Sequence, residues 1–186
     1  MKTISPILLS ILFIIISNVS FSQSIEEESE ANLSRKERKL LKRENNFKKM
    51  IELAEQRNLL IEAYELRGRR GASTIVNGNN FVRVNGDEFV LQTSIPGNRN
   101  GNAVGGSTGY GKITEYQVQV DEKKKSVSII AFMDMNGAGQ SRLYITLNGT
   151  GNNRADYINS FGNKISFVGQ VGTSSESDVY QIAQKI

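Results

Sequence analysis

The side chains best suited to holding a ligand fall in one glycine-rich stretch, Gly97 to Gly111, which carries Arg99, Asn100, Asn102 and Tyr110, with Lys112 just beyond it. Guanidinium, amide and ammonium donors around one aromatic platform are the groups that a glycan or an anionic group calls for. Connections of this length that do more than turn a hairpin are frequent binding sites. The competing expectation is a plain connector, because glycine and asparagine are also simply loop formers. At the end of the stretch, Gly106-Ser107-Thr108-Gly109-Tyr110-Gly111-Lys112 is one residue away from a phosphate-binding loop. Ile113 stands where that motif needs Ser or Thr for Mg²⁺, and the following residues read as a strand where the motif needs a helix. A flexible loop between strands is expected there, and no nucleotide or other cofactor.

Two other constellations resolve the same way. Asp134-Met135-Asn136-Gly137 has the opening spacing of a calcium loop, but no acidic residue follows at the required distance, so a hairpin turn is expected and no metal site. Asp121, Glu122 and Lys123 to Lys125 sit between two apolar runs and read as a solvated turn. Histidine and cysteine are both absent from the 186 residues. That removes the commonest acid/base and zinc-ligating side chain, along with thiol nucleophiles and disulfides. No serine has a basic partner by motif, so no catalytic residue is named. Convergence of Asp87, Glu115 or Asp134 in one pocket would revive an enzyme reading that dispenses with histidine.

The elements that would position these groups are legible from periodicity. Ser34 and Glu37 form a capping box ahead of a helix over 34–56, with apolar residues at Leu40, Phe47, Met50, Ile51 and Ala54. Its first half is mostly charged and should stand in water. Its basic face, Lys36, Lys39, Arg43 and Lys49, reads as solvated, with phosphorylated lipid headgroups as the alternative. Arg43 and Arg57 interrupt a coiled-coil seam, so the helix is expected to dock on a sheet. Beyond Gly71 the period changes to two. Asn85-Gly86 is expected at the centre of a tight hairpin between Phe81–Val84 and Glu88–Ile95, with positive φ at both residues. Tyr116, Val118 and Val120 alternate with polar residues. Val127 to Met133 is apolar enough for a central strand buried on both faces. Strands follow over Ser141–Leu147, Arg154–Ile158 and Lys164–Val171, and residues 172–186 form a tail with spacing for a short helix.

The amino terminus sets the compartment. Lys2, the apolar run Ile7 to Ile16 and the small residues Ser20 and Ser22 make a signal peptide over 1–22, cleaved near Ser22/Gln23. The protein is expected to be exported, periplasmic or secreted, with no transmembrane segment in the mature chain. Residues 23–33 are an acidic flexible tail. From Arg35 to Arg70, 12 Lys/Arg face six Glu, so the basic character belongs to the helix region. Export argues against a nucleic-acid partner and for an envelope component: glycan, lipid or protein.

With those elements in place, several short motifs resemble a family of exported Bacteroidetes proteins grouped as domain of unknown function 4251 (DUF4251). They are Val84-Asn85-Gly86-Asp87, Ile95-Pro96-Gly97, Gly109-Tyr110, Ile113-Thr114-Glu115-Tyr116 and Ile165-Ser166-Phe167-Val168-Gly169. The likeness covers about 47–171. It implies a strand at Leu59–Leu66, a segment whose spacing by itself fits helix or strand, and an exported α+β domain of the bacterial envelope. It supplies no activity, catalytic residue or ligand. The chain departs in lacking the lipoprotein cysteine of some similar proteins and in its tail after Val171.

The expected architecture is α+β: an N-terminal amphipathic helix on a mostly antiparallel meander of about seven strands, with the β-rich domain over 57–171. The expected function is a non-catalytic envelope binding or interaction module. The alternative is a periplasmic carrier of an apolar, lipid-like ligand in a cavity between sheet and helix.

Overall fold

The computed structural model describes residues 33–68, 73–76, 79–95, 105–136 and 139–173. The leader, the acidic tail up to residue 32, Arg99, Asn100, Asn102 and the C-terminal segment expected as a short helix lie outside the described residues. The chain divides into two units, 1–42 and 43–186, so that α1 (Arg35–Glu55) begins in one and ends in the other. In the first unit the capping box forms: the Ser34 amide donates to Glu37 Oε2 at 2.8 Å and the Glu37 amide to Ser34 Oγ at 3.3 Å. Side chains from Arg35 to Lys42 are exposed, Leu40 included.

In the second unit the remaining turns of α1 bury Phe47, Met50, Leu53 and Ala54. They enter one apolar core with inward residues of the sheet, among them Ile61, Val84, Phe89, Ile129, Leu147 and Phe167. The helix therefore packs on the sheet, as its broken heptad spacing requires. Arg57 stops it in a left-handed conformation, φ 50°, a position usually given to glycine. The chain then enters β1 (Asn58–Gly68), the strand that periodicity left open.

Eight further strands follow: β2 (Ser73–Ile75), β3 (Phe81–Asn85), β4 (Glu88–Ile95), β5 (Gly105–Asp121), β6 (Ser126–Met135), β7 (Gly139–Asn148), β8 (Asn153–Ile158) and β9 (Lys164–Gly172). Every pairing is antiparallel, and β9 returns to pair with β1 over Leu60↔Gly172 to Gly68↔Ile165. The expected seven-strand meander is thus corrected. Eight strands in the order β1-β3-β4-β5-β6-β7-β8-β9 close into a barrel, and β2 extends the outer edge of β1 beyond β3. Closure has a local cause. A register shift between Ala63 and Glu65 bends β1, and Gly169 lets β9 come so near that any β-carbon there would overlap the Glu62 carbonyl.

An eight-stranded barrel has an interior just wide enough for side chains to fill. Here Leu143, Ile145, Leu147, Met133 and Phe167 are fully buried, and the Phe89 and Tyr157 rings stack at 6.0 Å between centroids. β6 lies between β5 and β7 but is not buried on both faces as its composition implied. Val127, Ile129, Ala131 and Met133 point inward, while Ile130 and Phe132 on the outer face are half-buried. The Arg142 guanidinium, opposite Phe132 in register, lies 5.9 Å from its ring centroid.

The β3–β4 hairpin forms one residue later than its sequence suggests. Asn85 pairs with Glu88, so the two-residue turn is Gly86-Asp87, and Gly86 alone takes positive φ, 58°. Glycine at the first central position is the arrangement that needs only one left-handed residue.

Candidate functional site

The outer face of β3, β4 and β5 carries a groove of about 560 Å³ lined by Arg83, Asp87, Glu88, Phe89, Val90, Tyr110, Gly111, Lys112 and Asn136. Strand alternation decides which side chains reach it. On β4, Phe89 and Leu91 turn into the barrel, leaving Glu88 and Val90 outside. On β5, Gly109 and Gly111 face inward against Met135, so Tyr110 and Lys112 face out.

That placement corrects the expected flexible loop at Gly106 to Lys112, which is instead the first half of β5. The glycines are there for packing. A β-carbon on Gly111 would lie 2.6 Å from Met135 Sδ and 3.0 Å from the Asp134 carbonyl oxygen, and one on Gly109 would lie 3.0 Å from Met135 Cε. Glycine in a strand marks such close approach. The phosphate-loop geometry is absent because these residues run in an extended ladder opposite Glu88 to Ile95.

Of the five residues picked from sequence, Tyr110 and Lys112 come together in the groove, two positions apart on one face of β5. The Tyr110 side chain is 57% exposed. The backbone carbonyl of Tyr110 accepts from the Asn136 amide at 3.1 Å, which brings the start of the β6–β7 turn to the groove wall. Two wall residues, Arg83 and Glu88, carried no signal in the sequence, while Asp87 was named only for an enzyme reading and Asn136 only within the calcium-loop-like turn. Arg83 could have been noticed as a charge in the middle of the strand Phe-Val-Arg-Val.

Charge in the groove is arranged in pairs. Arg83 is buried and its guanidinium meets Glu88 Oε2 at 3.3 Å. Asp87 takes the Arg57 guanidinium at 2.6 Å, and Arg57 also lies 4.9 Å from the Tyr116 ring centroid. Lys112 is the lining cation with no ion pair among the described residues. With Asp134 opposite Lys112 in register, three cations face three carboxylates and the neighbourhood is neutral overall.

Behind the groove the Tyr116 hydroxyl donates to the Ala54 carbonyl at 2.9 Å, tying β5 to the end of α1. Burial pushes its pKa up to about 12, against a smaller opposing pull from Arg57. Of the three carboxylates whose convergence would have favoured catalysis, Asp87 alone lines the groove; Asp134 stands opposite Lys112 in register, and Glu115 lies past the register shift in β5. Among the described residues the carboxylates form no group of three that could hold a metal ion, and no helix is long and apolar enough to cross a membrane.

Comparison with known proteins bears on the fold. The crystal structure of a DUF4251 family protein from Bacteroides eggerthii DSM 20697 is similar with a TM-score of 0.60 and 21% sequence identity, over 73% of this chain and 93% of that one. No curated protein matches the chain. The sequence model described as "Domain of unknown function (DUF4251)" matches residues 41–171, which span most of α1 and the barrel to within one residue of the end of β9. The chain belongs to the DUF4251 family.

Proposed function

We propose that this protein is an exported, non-catalytic binding module of the bacterial envelope, and that it holds a glycan with an anionic substituent in the groove on β3, β4 and β5. The observation that carries the proposal is the juxtaposition of an exposed aromatic ring, Tyr110, with Lys112, a cation that makes no ion pair among the described residues although Glu88 and Asp134 stand opposite it on the neighbouring strands. A sugar ring stacks its C–H face on an aromatic side chain. The Lys112 ammonium answers a carboxylate or sulfate beside it, and Asn136 at the rim offers an amide. The groups that do not bind directly are tied down: Glu88 by Arg83, and Asp87 by Arg57.

Site and chemistry also bear on the competing functions. A carrier of an apolar ligand needs an unfilled interior, whereas the inward side chains of this barrel are packed against each other. That supports an outer-surface site over an internal one. The leader-like residues 1–22 support export.

Calorimetric titration with oligomers of galacturonic acid, and with galactose oligomers as the uncharged control, tests the proposal. Binding of the acidic series in the micromolar to millimolar range, at least about tenfold tighter than the neutral series, is expected. Equal binding of both series, or none of either, contradicts it.

A further inference from the structure

β5 outlasts the strand beside it. On the β4 side its pairing ends at Glu88↔Lys112, with one more backbone bond from the Ile113 amide to the Asp87 carbonyl at 2.7 Å. On the β6 side it continues to Asp121↔Ser126. Among the described residues no strand therefore lies along Thr114 to Asp121 on the β4 side. The barrel is closed everywhere else along this hairpin, yet it leaves one strand edge open.

Edges of this kind are normally blunted by lysine, proline or a bulge, or covered by a helix or loop; α1 reaches this one at Tyr116, whose hydroxyl donates to the Ala54 carbonyl and whose ring lies 4.9 Å from the Arg57 guanidinium. Glu115 to Val120, Glu-Tyr-Gln-Val-Gln-Val, contains neither lysine nor proline, and the one register shift falls before it, between Ile113 and Glu115. The lysines come only at the turn, Lys123 to Lys125. Glu115, Gln117 and Gln119 are exposed on the outer face, Tyr116 and Val118 are half-buried on the inner one, and Val120 is 42% exposed. The stretch alternates as a paired strand does.

We infer that this edge pairs with the same edge of a second copy, antiparallel, about a two-fold axis at Gln117. The sequence selects that register. Centred on Gln117, Thr114 faces Val120, Glu115 faces Gln119 and Tyr116 faces Val118, which are β-branched, polar and aromatic–aliphatic pairs with no like charges opposed. Centred on Val118, Glu115 would face Asp121. Centred on Tyr116, the overlap shortens because Lys112 is already paired with β4. An axis between residues would set inner side chains against outer ones, which antiparallel pairing forbids. The interface joins two barrels through a continuous ladder.

The test uses the absence of cysteine from the chain. Directly opposed residues of an antiparallel pair have Cα atoms about 4.5–5.5 Å apart, within reach of a disulfide. Under mild oxidation the Gln117→Cys variant is expected to form a covalent dimer. The Gln119→Cys variant is not, because its two thiols would sit four residues apart along the ladder, about 13 Å. Light scattering on the unsubstituted protein should show a concentration-dependent dimer. Gln117→Lys, which opposes two ammonium groups at an exposed position, should weaken that dimer at least about tenfold. A monomer at every concentration, a dimer indifferent to Gln117→Lys, or cross-linking through position 119 as readily as through 117 would each overturn the inference.

Discussion

The sulfur of Met135 stands 2.6 Å from the point where Gly111 would carry a β-carbon, so that one residue of β6 fills the space its neighbour on β5 leaves empty. The pair explains why a glycine-rich run is a strand here. It also explains how Tyr110 and Lys112 come to project on the opposite face, toward solvent.

Gly111→Ala should therefore destabilise the fold by about 1–3 kcal/mol through overpacking against Met135 and the Asp134 carbonyl. Trimming the partner should recover part of the loss. In denaturant unfolding, Gly111→Ala combined with Met135→Ala is expected to cost less than the sum of the two single changes. Simple additivity would show that the two sites do not share this space.

The seam that closes the barrel has a similar dependence. Gly169→Ala would drive a β-carbon into the Glu62 carbonyl where β9 meets β1, and should cost about 3 kcal/mol or more. Amide exchange checks the location. Protection should fall first in Leu60–Gly68 and Ile165–Gly172, and uniform loss over the barrel would contradict a seam-specific role.

Tyr116 gives an alkaline signature. Its folded pKa of about 12 lies above the usual value of 10.0, so the folded state favours the protonated phenol. The stability this provides is complete below pH 10 and is lost as pH rises from 10 toward 12. Tyr116→Phe removes the donor to the Ala54 carbonyl, should cost about 1 kcal/mol near neutral pH, and should flatten that alkaline decline. An unchanged decline in the variant would assign it to other groups.

Glu65 gives an acid signature of opposite sign. Hydrogen bonds from Arg67 and then Ser73 hold its carboxyl at about 2, below the usual 4.5. The contribution is present above pH 4.5 and is lost as pH falls from 4.5 toward 2. Because the hydrogen bond from Ser73 to Glu65 joins β2 to β1, Glu65→Gln should loosen β2 at neutral pH and remove its acid dependence, read as amide exchange at Thr74 and Ile75.

The sequence carried local order well and closure poorly. The capping box at Ser34 and Glu37, the burial of Phe47 and Met50, and the inward set Leu143, Ile145 and Leu147 follow from periodicities of 3.6 and two, which depend only on near neighbours. The β1–β9 seam joins residues a hundred positions apart through a bulge and a single glycine, and neither has a periodic signal. Gly105 to Gly111 was misleading for a related reason: glycine composition marks a loop unless one knows that Met135 lies opposite. In the groove, Tyr110 and Lys112 could be picked by type alone. Arg83, Glu88 and Asn136 become neighbours only through the register of β3, β4 and β5.

The groove itself is tested most directly by amide chemical-shift mapping during titration with galacturonate oligomers. Shifts should be confined to the neighbourhood of Tyr110, Lys112, Asn136 and the β3–β4 turn, with affinity reduced at least about tenfold in both Tyr110→Ala and Lys112→Ala. Shifts that instead cluster on inward residues such as Leu143 and Phe167, or affinity untouched by either substitution, would contradict it.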